Sequence, residues 1–213
     1  MTWSMEDPFS VKVFSPILEP KFFLELLKQF PPIQELLPYC RVGYKYSVSD
    51  GKRGKNAFQG LIAGRPAWRQ FYKSFVLEQD LLQLARRYFH ILNGRRIKQR
   101  TEFSILPGDG GHITPHPDTE KKLVTAVVYF PDPDWQEEWG GEFAMVCPTG
   151  IVDLVGYPRV EFNDVVVVHK VPYRPNTVVF MERSEKSFHA VFPIKAPAGH
   201  DRKSITINFM GRP

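Results

Sequence analysis

The segment Gly108-Asp-Gly-Gly-His-Ile-Thr-Pro-His-Pro-Asp118 gathers side chains that bind metal ions. His116 and Asp118 stand two apart, and residues so spaced in an extended chain face the same side. Pro115 and Pro117 exclude a helix here. A neutral imidazole beside a carboxylate offers two cis ligands. One further histidine completes a 2-His-1-carboxylate face with three positions open, which suits non-haem Fe(II). By itself a His-x-Asp pair is weak, because a surface histidine hydrogen-bonded to its neighbour explains it as well, so the third ligand carries the weight.

The candidates for it are His90, His112, His169, His189 and His200. His90 falls on a predicted helix. His112 is joined to His116 through a Gly-rich approach that favours a bend. His169 follows four valines and fits a core or edge histidine. His189 opens the strand Phe188-His-Ala-Val-Phe-Pro193 directly after the polar turn Arg183-Ser-Glu-Lys-Ser187. A strand end beside a turn presents its side chain to the mouth of a barrel, so the spacing favours His189 over His169 and His200.

A second constellation lies downstream. Arg202, Ser204, Thr206 and Asn208 alternate with Lys203, Ile205, Ile207 and Phe209, making one face of the last strand polar and the other largely apolar. Turned to water, the polar face is ordinary. Turned inward, Arg202 forks onto a carboxylate through two charge-assisted hydrogen bonds and Ser204 adds a third. In Leu123-Val-Thr-Ala-Val-Val-Tyr129, Thr125 and Tyr129 share a face, and the Tyr129 hydroxyl reaches the same anion. Arg183 is the alternative anchor. A metal with open positions beside a carboxylate clamp describes a site for a 2-oxo acid.

The elements that must position these groups divide into a helical first half and a strand-rich second half, read as one domain over 1–213 with helical support and substrate loops in 1–97 and a catalytic core in 98–213. After a β-like Val11-Lys-Val-Phe14, the spacing of Phe22, Leu24, Leu26 and Leu27 predicts a helix from Glu19 to Phe30, ended by Pro31-Pro32. Residues 43–60, rich in Gly, Ser and Lys, read as a mobile loop and a lid. Trp68, Phe71, Tyr72 and Phe75 recur at helical spacing after Pro66, and a further helix is predicted over Glu78–Leu92, closed by Asn93-Gly94. From Lys98, β-branched and aromatic runs separated by turn residues predict strands at Gln99–Leu106, Leu123–Phe130, Glu142–Val146, Asp164–Val171, Thr177–Glu182, Phe188–Pro193 and Lys203–Met210.

In order, Leu-Pro-Gly-Asp109 before His116-x-Asp118, Thr125-x-x-x-Tyr129-Phe, Trp139-Gly-Gly-Glu-Phe143, Asn176-Thr-Val-Val-Phe180, His189-x-Val-x-Pro193 and Arg202-x-Ser204 resemble the Fe(II)/2-oxoglutarate-dependent dioxygenases of the prolyl-4-hydroxylase-like branch, over roughly Thr101–Met210. The resemblance implies an all-β core with flanking helices, a double-stranded β-helix (a cupin-like jelly roll). It implies Fe(II) held by His116, Asp118 and His189, and 2-oxoglutarate chelating the iron while Arg202 holds its distal carboxylate, aided by Tyr129, Ser204 and Thr125. O2 is the oxidant, ascorbate an accessory reductant, and succinate and CO2 the co-products of hydroxylating an unactivated C–H of a peptide side chain, proline-like, or of a small metabolite. Where such enzymes often carry a Tyr on the strand before the metal pair, this chain reads Phe103-Ser-Ile-Leu-Pro107. A non-catalytic cupin-like binding module is the alternative, and Arg202 with the ordered spacing argues against it.

Composition agrees with a folded enzyme. With 43% hydrophobic, 14% aromatic and 24% charged residues, the chain is neither disordered nor fibrous. Cys40 and Cys147 give no disulfide framework or zinc knuckle. The opening residues lack a signal-peptide pattern and no stretch is long and apolar enough to span a bilayer, so a cytoplasmic protein without membrane contact is expected. A net charge of +5 mildly favours anionic partners. The basic run Arg86, Arg87, Arg95, Arg96, Lys98 and Arg100 reads first as solvated, and with no recognisable base-stacking groove nucleic acid is disfavoured.

Overall fold

A computed structural model describes residues 2–39, 43–52, 54–154 and 158–211; Cys40 and Arg53 lie outside the described residues. The strands are β1 (Thr2–Met5), β2 (Val11–Phe14), β3 (Leu37–Tyr39), β4 (Gly43–Ser49), β5 (Ile97–Leu106), β6 (His112–His116), β7 (Lys122–Tyr129), β8 (Phe143–Pro148), β9 (Val165–Val171), β10 (Val178–Glu182), β11 (His189–Val191) and β12 (Arg202–Gly211). They pair in the order β1-β2-β10-β7-β12-β5-β4-β6-β11-β8-β9, with β3 added to β4. The ladder folds back on itself as a double-stranded β-helix. At its two ends, Trp3 of β1 stacks on His169 of β9 with ring centroids 4.4 Å apart. Strand β4 turns the corner: Tyr46 to Ser49 pair with β5 while Gly43 and Tyr44 pair with β6. At Gly43, φ is +139°, and any Cβ would run into the His112 carbonyl oxygen, so the corner requires glycine.

Period-2 alternation sorts the central strands. On β12, Ile205, Ile207 and Phe209 are fully buried on the outer face, and on β5 Thr101, Phe103 and Ile105 do the same. Four helices cover that face: α1 (Pro20–Lys28), α2 (Lys55–Ala63), α3 (Pro66–Phe71, continued by a π-turn over Tyr72–Leu77) and α4 (Asp80–Tyr88). Helix α1 begins with Pro20 at its first position and the Glu19 carboxylate accepting from the Phe22 amide at 2.9 Å. The layers join through aromatic edges and faces. Trp68 packs on Phe103 at 4.7 Å and Phe130 at 5.1 Å, Phe23 stacks on Phe130 at 5.2 Å, and the Trp68 indole donates to the Leu26 carbonyl. The opposite faces of β5, β7 and β12 line the interior.

Every strand predicted from Lys98 onward is present, with ends within about two residues. Two readings of the first half are corrected. Residues 43–60 are not a loop: they supply β4, a tight turn and most of α2, and in β4 Tyr44, Tyr46 and Val48 alternate with Lys45, Ser47 and Ser49, a short period-2 run masked by the Gly-, Ser- and Lys-rich composition around it. The helix predicted over Glu78–Leu92 ends at Tyr88, and His90 lies beyond it in a single 3₁₀ turn with Ile91 and Leu92. The first 97 residues are thus more than helical support, since β1, β2 and β4 extend both sheets. No described helix is long and apolar enough to cross a membrane.

Candidate functional site

His116 is the last residue of β6 and His189 the first of β11, and the ladder pairs them directly, with ring centroids 4.6 Å apart. Asp118 follows two residues after His116, beyond Pro117. All three are buried, and their ligand atoms lie within 4.8 Å of one another. The His116 Nδ1 lies 2.7 Å from the Thr114 carbonyl oxygen and the His189 Nδ1 3.0 Å from that of Ser187. A carbonyl only accepts, so each Nδ1 carries the proton and each Nε2 keeps its lone pair for a metal. Burial holds both imidazoles neutral. That of His116 is pushed down to about 3, with His189 the next cause, and that of His189 also lies below its ordinary value.

Around Asp118, burial works against ionisation, but Lys122 and the two histidines outweigh it and hold the carboxyl well below the usual range. Lys122 Nζ donates to Oδ1 at 2.5 Å and Thr125 Oγ1 to Oδ2 at 2.7 Å. Each carboxylate oxygen keeps a further lone pair for a metal. Thr125 also lies 3.2 Å from Asn208 Oδ1. Its single proton serves only one acceptor, and the shorter contact to the carboxylate takes it; turning the Asn208 amide over lets Nδ2 donate to Thr125 instead.

Arg202 opens β12 at the other end of the same interior. It is 4% exposed, its Nε donates to the Gly141 carbonyl at 2.6 Å and one terminal nitrogen to Ser204 Oγ at 3.3 Å. Its guanidinium carbon lies 5.0 Å from the ring centroids of both Tyr129 and Tyr173, a cation resting against two rings that meet each other edge to face. The Tyr129 hydroxyl is buried beside it without a hydrogen-bond partner among the described residues, and burial pushes it up to about 12. A fixed guanidinium that meets no carboxylate among the described residues, with a buried hydroxyl beside it, fits an anion.

The structure therefore brings together His116, Asp118 and His189, and separately Arg202, Tyr129 and Ser204, all lining one cavity of about 270 Å³. Thr125 lies on the metal side, against Asp118. The remaining histidines stand apart: His112 contacts the Gly110 carbonyl and Phe162, His169 the Trp3 ring, and His200 both Asp134 and Trp139. Arg183 donates to the Asp118 carbonyl at 3.3 Å and does not line the cavity. Phe103 points into the helix-facing core, leaving Ser104 and Leu106 toward the cavity. The sequence reading missed Lys122, whose signal is a cation four residues after Asp118 in a non-helical turn, and Tyr173, hidden in Pro172-Tyr-Arg-Pro175. Gly140 and Gly141 both have positive φ, and the Gly141 carbonyl is the acceptor that orients Arg202.

Residues 101–210 match the 2OG-Fe(II) oxygenase superfamily. No curated protein matches the chain. Among solved structures, a prolyl-4-hydroxylase from Pseudomonas putida is similar at 19% identity and a TM-score of 0.60, over 95% of this chain and 92% of that one. A Trichoplax adhaerens prolyl hydroxylase, solved with a peptide fragment of the hypoxia inducible factor oxygen degradation domain, gives 16% identity, a TM-score of 0.56 and coverage of 94% and 83%. HygX from Streptomyces hygroscopicus, solved with nickel and 2-oxoglutarate bound, gives 12%, 0.55, and 94% and 82%. At these identities the likeness speaks for the fold.

Proposed function

The chain belongs to the 2OG-Fe(II) oxygenase superfamily, and from that premise we propose that it hydroxylates an unactivated C–H bond of a peptide side chain or a small metabolite, with His116, Asp118 and His189 as the iron ligands and Arg202 as the anchor of 2-oxoglutarate. When bound, the iron and the keto acid supply the oxidation: O2 and 2-oxoglutarate give succinate and CO2, and one oxygen atom enters the substrate as a hydroxyl. The observation that carries the assignment is one cavity lined by two lone-pair-bearing imidazoles, one carboxylate and, at its far end, a guanidinium that meets no carboxylate among the described residues.

The protein's own groups do the positioning. Thr114 and Ser187 carbonyls fix the two imidazole tautomers, while Lys122 and Thr125 fix the carboxylate. In this reading Thr125 serves Asp118 rather than the cosubstrate. Arg202, clamped by Gly141 and two tyrosine rings, presents its free edge and the Tyr129 hydroxyl to the distal carboxylate. Val127, Phe143, Ile113 and Val191 give the space between an apolar wall that excludes water.

The likeness to prolyl hydroxylases supports a peptide among the substrates considered, and the modest cavity supports a small molecule. Anaerobic addition of Fe(II) and 2-oxoglutarate is expected to give a visible charge-transfer band, and a featureless spectrum overturns the proposal. Succinate release across a panel of peptides and free amino acids then sorts the substrate classes.

A further inference from the structure

Two guanidinium groups line the cavity, one toward each end of the polar face of β12, and neither pairs with a carboxylate among the described residues. Arg202, 4% exposed, occupies the deep end. Arg100, half-exposed, stands at the other end, the mouth, on β5 directly across from Asn208, whereas Arg202 faces Leu106. Six residues of β12 separate these rows, about 20 Å between Cα positions. A 2-oxoglutarate seated between iron and Arg202 therefore leaves Arg100 untouched.

The other cavity cations have partners: Lys122 on Asp118, and Lys45 on Glu102 at 2.6 Å. The Asp50 carboxylate near Arg100 is engaged by the Thr101 amide at 3.0 Å and the Tyr72 hydroxyl at 3.1 Å. Arg100 Nε is buried without a hydrogen-bond partner among the described residues. Gly51 backs the group closely, since a Cβ there would stand 3.1 Å from Nε and 3.3 Å from Cζ. A half-exposed guanidinium with one buried donor left open is placed to take an anion.

Its position also relates it to the metal ligands. Asn208, opposite Arg100, is in turn opposite Thr125 on β7, and Thr125 holds Asp118. Two strand spacings, about 10 Å, separate the Arg100 and Thr125 backbones. We infer that Arg100 is the substrate anchor: the mouth receives the carboxylate or phosphate of a small anionic molecule, whose oxidised carbon lies a few bonds from that anion. This rests on the oxygenase reading above. A cavity of about 270 Å³ that must also admit the cosubstrate favours a small acid over a folded peptide segment.

The test uses the Fe(II)- and 2-oxoglutarate-loaded protein without oxygen, titrated with short carboxylic and amino acids, each beside its amide, and with phosphate monoesters, each beside its parent alcohol. At least one acid is expected to perturb the charge-transfer band while its neutral partner does not, and which series responds identifies the anion. Arg100→Gln is expected to weaken that response on the order of tenfold or more, with the band itself retained as evidence of folding and cosubstrate binding, and Arg100→Lys to recover part of it. Neutral compounds acting as well as acids, a panel in which no acid responds, or an undiminished response in Arg100→Gln would each overturn the inference. Absence of the band in the unaltered protein strikes the oxygenase reading instead, so the two failures are distinct.

Discussion

Asp118 is the residue on which the most neighbours converge, since its two oxygens accept from Lys122 and Thr125 and its own carbonyl from Arg183. Asp118→Ala is expected to abolish turnover and metal retention while the circular dichroism spectrum stays native, because the residue closes a turn and packs no core; turnover at a comparable rate would remove it from the ligand set. Thr125→Val keeps the shape of the side chain but removes the donor to Oδ2. An outer-shell loss of this kind lowers metal affinity by about 10- to 100-fold, measurable by Fe(II) titration, and unchanged affinity would show that Lys122 alone orients the carboxylate. For Arg202→Ala the expected cost is about 2–5 kcal/mol in 2-oxoglutarate binding, read as a steep rise in the KM for the cosubstrate. Most of these groups were legible in the sequence because two-residue spacing on strands fixes shared faces, as for His116 with Asp118 and Arg202 with Ser204. Lys122 and Tyr173 were not: Lys122 opens β7 where a shift in register against β12 breaks the two-residue alternation, and Tyr173 lies in the irregular segment after β9.

At the level of elements, one strand serves two purposes. Outward, β5 buries Thr101, Phe103 and Ile105 under the helices; inward, it turns Arg100, Glu102, Ser104 and Leu106 to the cavity. Phe103 contacts Trp68, Phe58 and Phe30 and is wholly buried. Phe103→Ala should therefore cost about 3–5 kcal/mol of stability, seen as a lower urea midpoint, and a change below about 1 kcal/mol would mean that the helical layer does not depend on this contact. The strands after Lys98 other than β6 declared themselves through β-branched and aromatic runs, and α1 through its apolar spacing and the Pro31-Pro32 that ends it. Strand β4 did not. Tyr44, Tyr46 and Val48 do alternate with Lys45, Ser47 and Ser49, but the run is short and passes straight into the Gly- and Lys-rich turn after Ser49, so its loop-like composition outweighed its period.

Over the whole molecule, the ladder brings two buried imidazoles, one carboxylate and one ammonium into a single interior, and the metal-free protein must hold them there unaided. Both histidines titrate below their ordinary value, His116 at about 3, so between there and about 6.5 the unfolded chain binds protons that the folded one refuses. Their contribution to stability is full above about 6.5 and is lost as pH falls below it. Asp118 acts in the same direction at lower pH, because its carboxyl is depressed and its contribution disappears as it becomes protonated. The metal-free protein is accordingly expected to lose about 1 kcal/mol per pH unit from His116 as pH drops from 6.5 to 5, with His189 adding in the same direction, or about 2–4 °C in Tm for each kcal/mol in a chain of this size. His116→Asn should flatten that dependence. Fe(II) stabilises the folded state only while the imidazoles are free to bind it, so the gap in Tm between loaded and metal-free protein should narrow as the medium becomes more acid. A melting temperature that is flat from pH 7 to 5 in the metal-free protein would mean that the two imidazoles are solvated rather than buried, and the pairing of His116 with His189 across β6 and β11 would have to be redrawn.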